Sequence, residues 1–200
     1  MKATKNEIKS SEWEHYGTVI DSKDTDKNEK CALCGKQGLR FQFEIINKKN
    51  ESIMVVGSEC IKKFDVPIID DEGNVVEKSD VDAHLDLNIM KVKKYASIKS
   101  LRKLYKSCPK KTDKEFIHEI VKKNTDKNKI MLSPRQAKWM ISLFEKYQVR
   151  CHFDGFGLNS YSRMYKDHLM EMTDGVKNKI MNIMTKNQIG KFINQDKNNI

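Results

Sequence analysis

Three cysteines in the first third of the chain have the spacing of metal ligands. Cys31 and Cys34 are separated by two residues and followed directly by Gly35, and Cys60 comes after two strand-like segments. Zinc takes four ligands at tetrahedral angles, and thiolate sulfur is one of its usual ligands. Two cysteines at this separation can reach one ion from a single tight turn, in which Gly35 can adopt a left-handed backbone. The spacing predicts a structural Zn²⁺ site with Cys31, Cys34 and Cys60 as ligands.

The fourth ligand of this site is not evident from spacing alone. A second ligand three residues after Cys60 would be usual, but that residue is Lys63, which cannot bind zinc while protonated. We expect His15 to take this role, because it precedes a strand that could lie beside the Cys31–Cys34 turn. A three-cysteine site completed by water or by a partner protein is an alternative. Other side chains also stay open as the fourth ligand: Glu59, Asp65, His84, Cys108 and Cys151.

The same cysteines allow two other interpretations. Cys60 could be an ordinary buried cysteine, since free cysteine packs as a small hydrophobic residue. Cys31 and Cys34 could form a redox dithiol, but such a pair normally opens a helix after a strand. Here Gly38 and a strand-like segment follow instead. Five cysteines with one close pair favour reduced thiols and metal over a disulfide framework.

The segments around the cysteines must bring them together. Residues 40–46 alternate apolar and polar side chains, which is typical of a strand, and residues 52–56 form the expected return strand after a turn at 47–50. Gly57 and Ser58 then end the strand and start a short helix that carries Cys60. A further strand is predicted over residues 16–20. A cysteine turn, a hairpin and a helix with a third ligand, in this order, form a treble-clef arrangement.

These residues also resemble a known kind of protein. The resemblance rests on Cys-x-x-Cys-Gly at 31–35, Ile45-Ile46-Asn47, and Val-Gly-Ser-Glu-Cys at 56–60. The pattern is similar to a small zinc-binding module of uncharacterised bacterial and phage proteins, and it covers about residues 16–65. The resemblance implies a treble-clef-like zinc fold, nucleic-acid association and a phage or mobile-element origin. Some members carry histidine where this chain has Lys63.

The rest of the chain is predicted to be mainly helical. An apolar stripe with steps of three and four residues predicts one long buried helix face; its residues are Leu85, Ile89, Val92, Tyr95, Ile98, Leu101 and Tyr105. Ser133-Pro134-Arg135-Gln136 predicts a capped helix start, and residues 154–157 a flexible turn. The fold class is therefore expected to be α+β. We expect a zinc-binding β module at 12–65, an acidic linker or small hairpin at 66–78, and a basic helical domain at 79–200.

Charge is distributed unevenly along the chain. Residues 1–86 contain 13 basic and 18 acidic side chains, whereas residues 87–200 contain 25 basic and 10 acidic ones. The basic half indicates an anionic partner, although high charge also serves solubility. Tyr95 and Tyr105 lie among these cations and could stack on bases, or they could be core residues. The predicted phosphate-contacting residues are Lys93, Lys94, Lys99, Arg102, Lys103, Lys106, Lys110, Lys111, Arg135 and Lys138.

Several function classes are disfavoured by the sequence. No apolar run reaches membrane-spanning length, and the first residues lack the apolar stretch of a secretion signal, so a cytoplasmic location is expected, in the host if the protein is phage-encoded. Cys151 and His152 suggest a nucleophile and base, but adjacent residues point apart in an extended chain. We therefore expect a protein that is not an enzyme, with nuclease-type activity left open.

The sequence as a whole predicts a non-catalytic nucleic-acid-binding protein with a structural zinc site. DNA and RNA are equally compatible with it. The alternative is a protein-binding regulator, for example a phage factor that docks on an acidic surface of a host enzyme. Neither interpretation includes a small-molecule substrate or a membrane.

Overall fold

The computed structural model describes residues 10–23, 25, 30–159, 163–181, 183–184 and 188–189. The chain combines a small antiparallel sheet, a two-stranded parallel sheet and several helices. This confirms the expected mixture of helices and strands. The chain divides into two compact units, Met1–Val92 and Lys93–Ile200. The domain boundaries expected from the sequence stay a prediction, because a compact unit need not fold independently.

A four-stranded antiparallel sheet forms the centre of the first unit. Strand β3 pairs with β4 along one edge and with β1 and β2 along the other, so that Phe43 is opposite both Val56 and Val19. Phe43 and Ile45 are fully buried, as the alternation in the sequence predicts, but the polar Gln42 between Phe41 and Phe43 is fully buried as well. The strands are β1 (Trp13–Glu14), β2 (Val19–Asp21), β3 (Phe41–Asn47) and β4 (Ile53–Val56).

The first strands differ from the sequence prediction. The strand expected at 16–20 is β2 and starts only at Val19, because Gly17 has a φ of 79° and Tyr16 is exposed. Ser10–Glu12 form one 3-10 turn, and residues 1–9 lie outside the described part of the chain. Trp13, which follows, is buried in the core of the first unit.

Short helix α1 (Ser58–Lys63) follows β4, and the acidic segment after it packs on the same core. Val66 and Ile68 are buried there, and Ile68 makes a parallel bridge with His15. Ile69 and Val75 form an antiparallel bridge across the turn at 70–74, in which Asp70 Oδ1 accepts from the backbone N–H groups of residues 72 and 74. This segment is therefore tied into the first unit by buried apolar side chains.

The long helix α2 (Val81–Ser107) contributes residues to both units. The second unit further contains α3 (Lys111–Lys122), β5 (Ile130–Leu132), α4 (Pro134–Lys146), β6 (Phe156–Leu158), α5 (Arg163–Met170) and α6 (Asp174–Met181). Its core buries Leu101, Leu104, Ile120, Met140 and Phe144, among others. The predicted start of α4 is confirmed, since Ser133 Oγ accepts from the Gln136 backbone and the Gln136 side chain accepts from the Ser133 backbone.

Two parts of the second unit overturn expectations. Tyr95 and Tyr105 were assigned to the buried face of α2, but they are 64% and 42% exposed, whereas Ser97 and Ser100 are buried. Residues 154–157 were expected to be a flexible turn, but residues 156–157 belong to β6, which pairs in parallel with β5. No helix among the described residues is long and apolar enough to span a membrane.

Candidate functional site

The turn that carries Cys31 and Cys34 is held by backbone hydrogen bonds. Gly35 N–H donates to the Cys31 carbonyl at 2.8 Å, and Cys31 N–H donates to the Lys36 carbonyl at 2.9 Å. Gly35 has a φ of 74°, a left-handed conformation that glycine adopts without strain and that the sequence predicts here. Ala32 N–H donates to the Val55 carbonyl, so the turn lies along the outer edge of β4.

Cys60 reaches the same place from the first turn of α1. Gly57 is the residue that precedes α1, and its carbonyl accepts from Cys60 N–H at 3.0 Å. Because β4 ends at Val56, the first turn of α1 follows directly on the strand that holds the Cys31 turn. The hairpin of β3 and β4 therefore places a cysteine from the turn and one from the helix side by side.

The three cysteines form a cluster that could hold a metal ion. The sulfur atoms of Cys31, Cys34 and Cys60 all lie within 4.8 Å of one another, and none of the three forms a disulfide. Cys31 and Cys60 are buried, whereas Cys34 is exposed. We call these residues the cysteine cluster. In a tetrahedral thiolate site, a zinc–sulfur distance of about 2.3 Å puts sulfur atoms about 3.8 Å apart, so the cluster is close to the required spacing.

Hydrogen bonds within the cluster favour a negative charge on Cys31. Burial raises the pKa of the Cys31 thiol, but backbone hydrogen bonds from Gly57, Cys34 and Leu33 outweigh burial, and the net pKa lies below the ordinary value. Burial, followed by hydrogen bonds with Cys34 and Cys31, raises the pKa of Cys60 to about 12. A cation bound by all three sulfurs would displace the Cys60 proton, so metal binding would release protons at neutral pH.

His15 was expected to complete the site, but the structure does not bring it together with the three cysteines. Among the described residues, the group of ligand atoms within 4.8 Å contains Cys31, Cys34 and Cys60 and does not include His15. The His15 ring is fully buried, and its Nδ1 atom lies 2.8 Å from the Glu44 carbonyl oxygen. Because β1 and β4 lie on opposite edges of β3, His15 and the Cys31 turn are on different sides of the central strand.

The other side chains left open as the fourth ligand are also outside this group of ligand atoms. Asp65 is exposed and pairs with Lys78 at 2.9 Å, and Glu59 is exposed on α1. His84 contributes to the electrostatic environment of His15, which places it near that ring. Cys108 and Cys151 belong to the second unit. The described part of the chain thus supplies three close sulfur ligands to the cluster.

A second candidate feature is a stripe of cations on α2. Lys99, Arg102, Lys103 and Lys106 are all exposed, and steps of three and four residues place them on one face of the helix. We call these four residues the basic stripe. Tyr95, one turn before Lys99, lies on the same face. Within the described residues, none of the four cations forms an ion pair, and residues 93–107 contain no Asp or Glu.

The other predicted phosphate-contacting residues of α2 and α3 have different surroundings. Lys94 Nζ donates to the carbonyl oxygens of Thr125 and Lys127, at 2.7 and 2.5 Å, and so ties α2 to the turn after α3. Lys93 is half-buried. Lys110 is exposed just before α3, and Lys111 Nζ lies 3.8 Å from Glu115.

Arg135 and Lys138 are exposed near the start of α4. Trp139 follows them and is 45% exposed, although its ring stacks on Phe116 with a centroid distance of 4.4 Å and an interplanar angle of 12°. The ring therefore packs on a residue of α3 while part of it stays accessible to solvent. Tyr95 and Trp139 are thus both partly exposed aromatic residues with an exposed cation one helical turn away.

Comparisons with protein-family models, with curated proteins and with solved structures find no match for this chain. The resemblance of residues 16–65 to bacterial and phage zinc modules therefore stays a prediction.

Proposed function

We propose that this protein is a non-catalytic nucleic-acid-binding protein in which a structural zinc ion stabilises the first unit and the second unit contacts phosphates. The observation that carries the proposal is the basic stripe. Its four cations face solvent on one side of one helix, and none pairs with a carboxylate of the described residues. From Lys99 to Lys106 the stripe is about 10 Å long, close to the axial length of three nucleotides in one strand of a duplex.

Unpaired cations matter because other surface lysines of this chain already have partners. Examples of paired lysines are Lys62 with Asp82, Lys91 with Asp71, Lys123 with Glu119 and Lys179 with Glu145. A lysine in such a pair must give up its carboxylate before it contacts phosphate. The cations of the basic stripe have no such ion pair to break. Their contact with phosphates releases counterions from the nucleic acid, and this release is the main source of salt-dependent affinity.

The metal in this proposal is zinc, and its role is structural. Three close sulfur atoms, with backbone N–H groups directed at Cys31, suit a thiolate-binding cation, and zinc is the usual one for such sites. The order of cysteine turn, antiparallel hairpin and helix with the third cysteine supports a treble-clef-like module. Zinc would hold together the loop, the hairpin and α1, and it would supply no step of a reaction.

The test is binding of the full-length protein to labelled oligonucleotides over a range of salt concentrations, followed by fluorescence anisotropy. If four cations contact phosphates, log affinity should fall against log salt with a slope of about −3.6 on a duplex and about −2.8 on a single strand. The variant Arg102→Gln/Lys103→Gln should bind more weakly, and its slope should be shallower by about 1.8 on a duplex or about 1.4 on a single strand.

The matched control is Lys123→Gln/Lys179→Gln, which removes the same charge from lysines that are already paired. Equal weakening by both variants would mean that net charge alone acts, and the assignment to the basic stripe would be wrong. Absence of binding to every oligonucleotide at moderate salt would reject the proposed function. Capture of one acidic protein, lost in the Arg102→Gln/Lys103→Gln variant, would then favour the protein-docking regulator.

A further inference from the structure

Tyr95 is an exposed aromatic ring on the same face of α2 as the basic stripe. Its side chain is 64% exposed and, within the described residues, stacks on no other ring and lies against no cation. Lys99 lies one helical turn further on, where side chains of neighbouring turns are about 5–6 Å apart at Cβ. The ring and the unpaired cation beside it are therefore both accessible to a ligand.

Trp139 repeats this arrangement on α4. Arg135 lies one turn before Trp139, is exposed and forms no ion pair with the described residues. One face of the indole is covered by Phe116, which fixes the plane of the ring, and the 45% exposure leaves the remainder of the ring accessible. Tyr105 differs from both, because Lys114 Nζ already lies 5.3 Å from the centre of its ring.

A ring beside a cation matches one nucleotide of a single strand. The cation contacts the phosphate, and the ring stacks on the base, whose face is accessible when the strand is unpaired. In a duplex the bases are already stacked on one another, so an exposed ring gains little. We propose that the nucleic acid bound by the second unit is single-stranded, with bases stacked on Tyr95 and Trp139 and phosphates at Lys99 and Arg135. This inference rests on the proposed function and names the class of ligand.

Polyanions that expose no base faces are the relevant comparison. A duplex or an acidic protein surface would satisfy the cations but would leave both rings in water. Single-stranded DNA and RNA share the chemistry that the rings recognise, since every base has a π-face. Oligo-dT and oligo-rU distinguish these two sources, and stronger binding of either supports the proposal.

The experiment compares four labelled 20-mers with the full-length protein: oligo-dT, oligo-rU, a mixed-sequence duplex and an abasic strand of the same charge. Tyr95→Leu and Trp139→Leu should each weaken binding to oligo-dT or oligo-rU by at least about fivefold, with little change on the duplex and abasic strand. Tyr95→Phe and Trp139→Phe keep a ring and should restore most of the affinity. Tyr16→Leu is the matched control, because Tyr16 is 53% exposed but lies in the first unit.

The outcomes separate this inference from the proposed function. Equal binding of all four probes, with no effect of either leucine variant, would overturn the stacking proposal and leave phosphate binding intact. No binding of any probe would overturn the proposed function itself. If Trp139→Leu lowers the melting temperature through loss of the Phe116 stack, Tyr95→Leu decides, since Tyr95 is mostly exposed and stacks on no other ring of the described residues. An unaltered single-strand affinity of a folded Tyr95→Leu variant would contradict the proposal.

Discussion

The two units of this chain differ in charge and in the features that could do chemistry. Residues 1–92 contain 14 basic and 18 acidic side chains, and the cysteine cluster lies among them. Residues 93–200 contain 24 basic and 10 acidic side chains, with the basic stripe on α2. The acidic first unit is a poor surface for a polyanion, and among the described residues the second unit holds no comparable group of metal ligands.

The units also differ in how their parts are held together. In the second unit, helices pack on a core of large side chains such as Leu101, Met140 and Phe144. In the first unit, the loop before β3 and the short helix α1 meet at three sulfur atoms, and a six-residue helix has little stability of its own. Both units have a buried apolar core, and in the first unit the proposed zinc ion would in addition hold the loop and α1 together. Four predictions test this difference, in order of decreasing effect.

The largest effect is expected from Cys31→Ser. Removing one of the three sulfur ligands should abolish stoichiometric zinc binding. The effect should be large, because zinc binding contributes about 10–16 kcal/mol to the folding free energy of small zinc modules. Elemental analysis of protein purified without added metal should give about one zinc per chain for the wild type and none for the variant. Cys151→Ser is the control and should keep its zinc, since Cys151 lies in the second unit. Full zinc content in Cys31→Ser would show that the cysteine cluster is not the site.

The second prediction concerns Leu101→Ala in the second unit. Leu101 is fully buried, and truncation should reduce the free energy of unfolding by about 2–5 kcal/mol through lost burial and a cavity. Zinc content should not change, because the residue is not in the cysteine cluster. Denaturant unfolding and elemental analysis on the same samples measure both quantities. Loss of zinc in Leu101→Ala would contradict the expectation that zinc binding does not depend on the core of the second unit.

The third prediction follows from the lowered pKa of His15. Burial is the main cause, the nearby His84 adds to it, and the hydrogen bond to the Glu44 carbonyl opposes it. The unfolded chain therefore takes up a proton at higher pH than the folded one. The unfolding free energy should fall as pH decreases below about 6.5, by up to about 1.4 kcal/mol per pH unit, until the folded pKa is reached.

The His15→Asn variant should be less stable at neutral pH, and its unfolding free energy should lack the fall with decreasing pH that comes from His15. Both proteins are measured with zinc in excess. An unchanged slope in His15→Asn would exclude His15 as its source. The same variant tests the predicted ligand role of His15 by its zinc content. If His15→Asn retains its zinc, the fourth zinc ligand is a group other than His15.

The smallest effect is expected from Ser133→Ala, which removes the capping box of α4. Loss of the bond from the Gln136 backbone to Ser133 Oγ should cost about 1 kcal/mol of unfolding free energy. Ser142→Ala is the matched control, because Ser142 Oγ only donates to the Trp139 carbonyl on the exposed face of the same helix. Equal losses in the two variants would argue against a specific role of the cap.

Local patterns in the sequence predicted much of this fold. The alternation at 40–46 and the return strand at 52–56 correspond to β3 and β4 with a shift of one residue at their boundaries. Residues 133–136 predicted the start of α4, because a capping box is formed within four residues of chain. The cysteine spacing predicted a cluster for the same reason, since a turn, a hairpin and a helix start are all local structures.

Features that depend on distant partners were not predicted. Tyr95 looked like a core position of α2, but the buried positions include Ser97 and Ser100. Their hydroxyl groups bond to a segment more than 50 residues away: Ser97 Oγ donates to the His152 carbonyl at 2.5 Å and accepts from Gly155 N–H at 3.1 Å. A Cβ atom on Gly155 would lie 2.3 Å from the Lys93 carbonyl oxygen and 2.5 Å from Ser97 Oγ, so this close approach requires glycine. Nothing in the local sequence of α2 indicates such a neighbour.

The position of His15 has the same kind of cause. Whether it reaches the cysteines depends on which edge of β3 each strand takes, and two-residue strands such as β1 carry no pattern that reveals their pairing. The sequence could identify histidine as a candidate ligand but could not place it across the sheet.

The unequal exposure of the three cysteines has a kinetic consequence. Cys34 is accessible to solvent while Cys31 and Cys60 are covered. If the cysteine cluster holds zinc as proposed, a chelator, alkylating reagent or ion carrier would meet Cys34 first, and exchange of the ion would begin at that sulfur. A zinc ion bound there could have a high equilibrium affinity and still exchange rapidly.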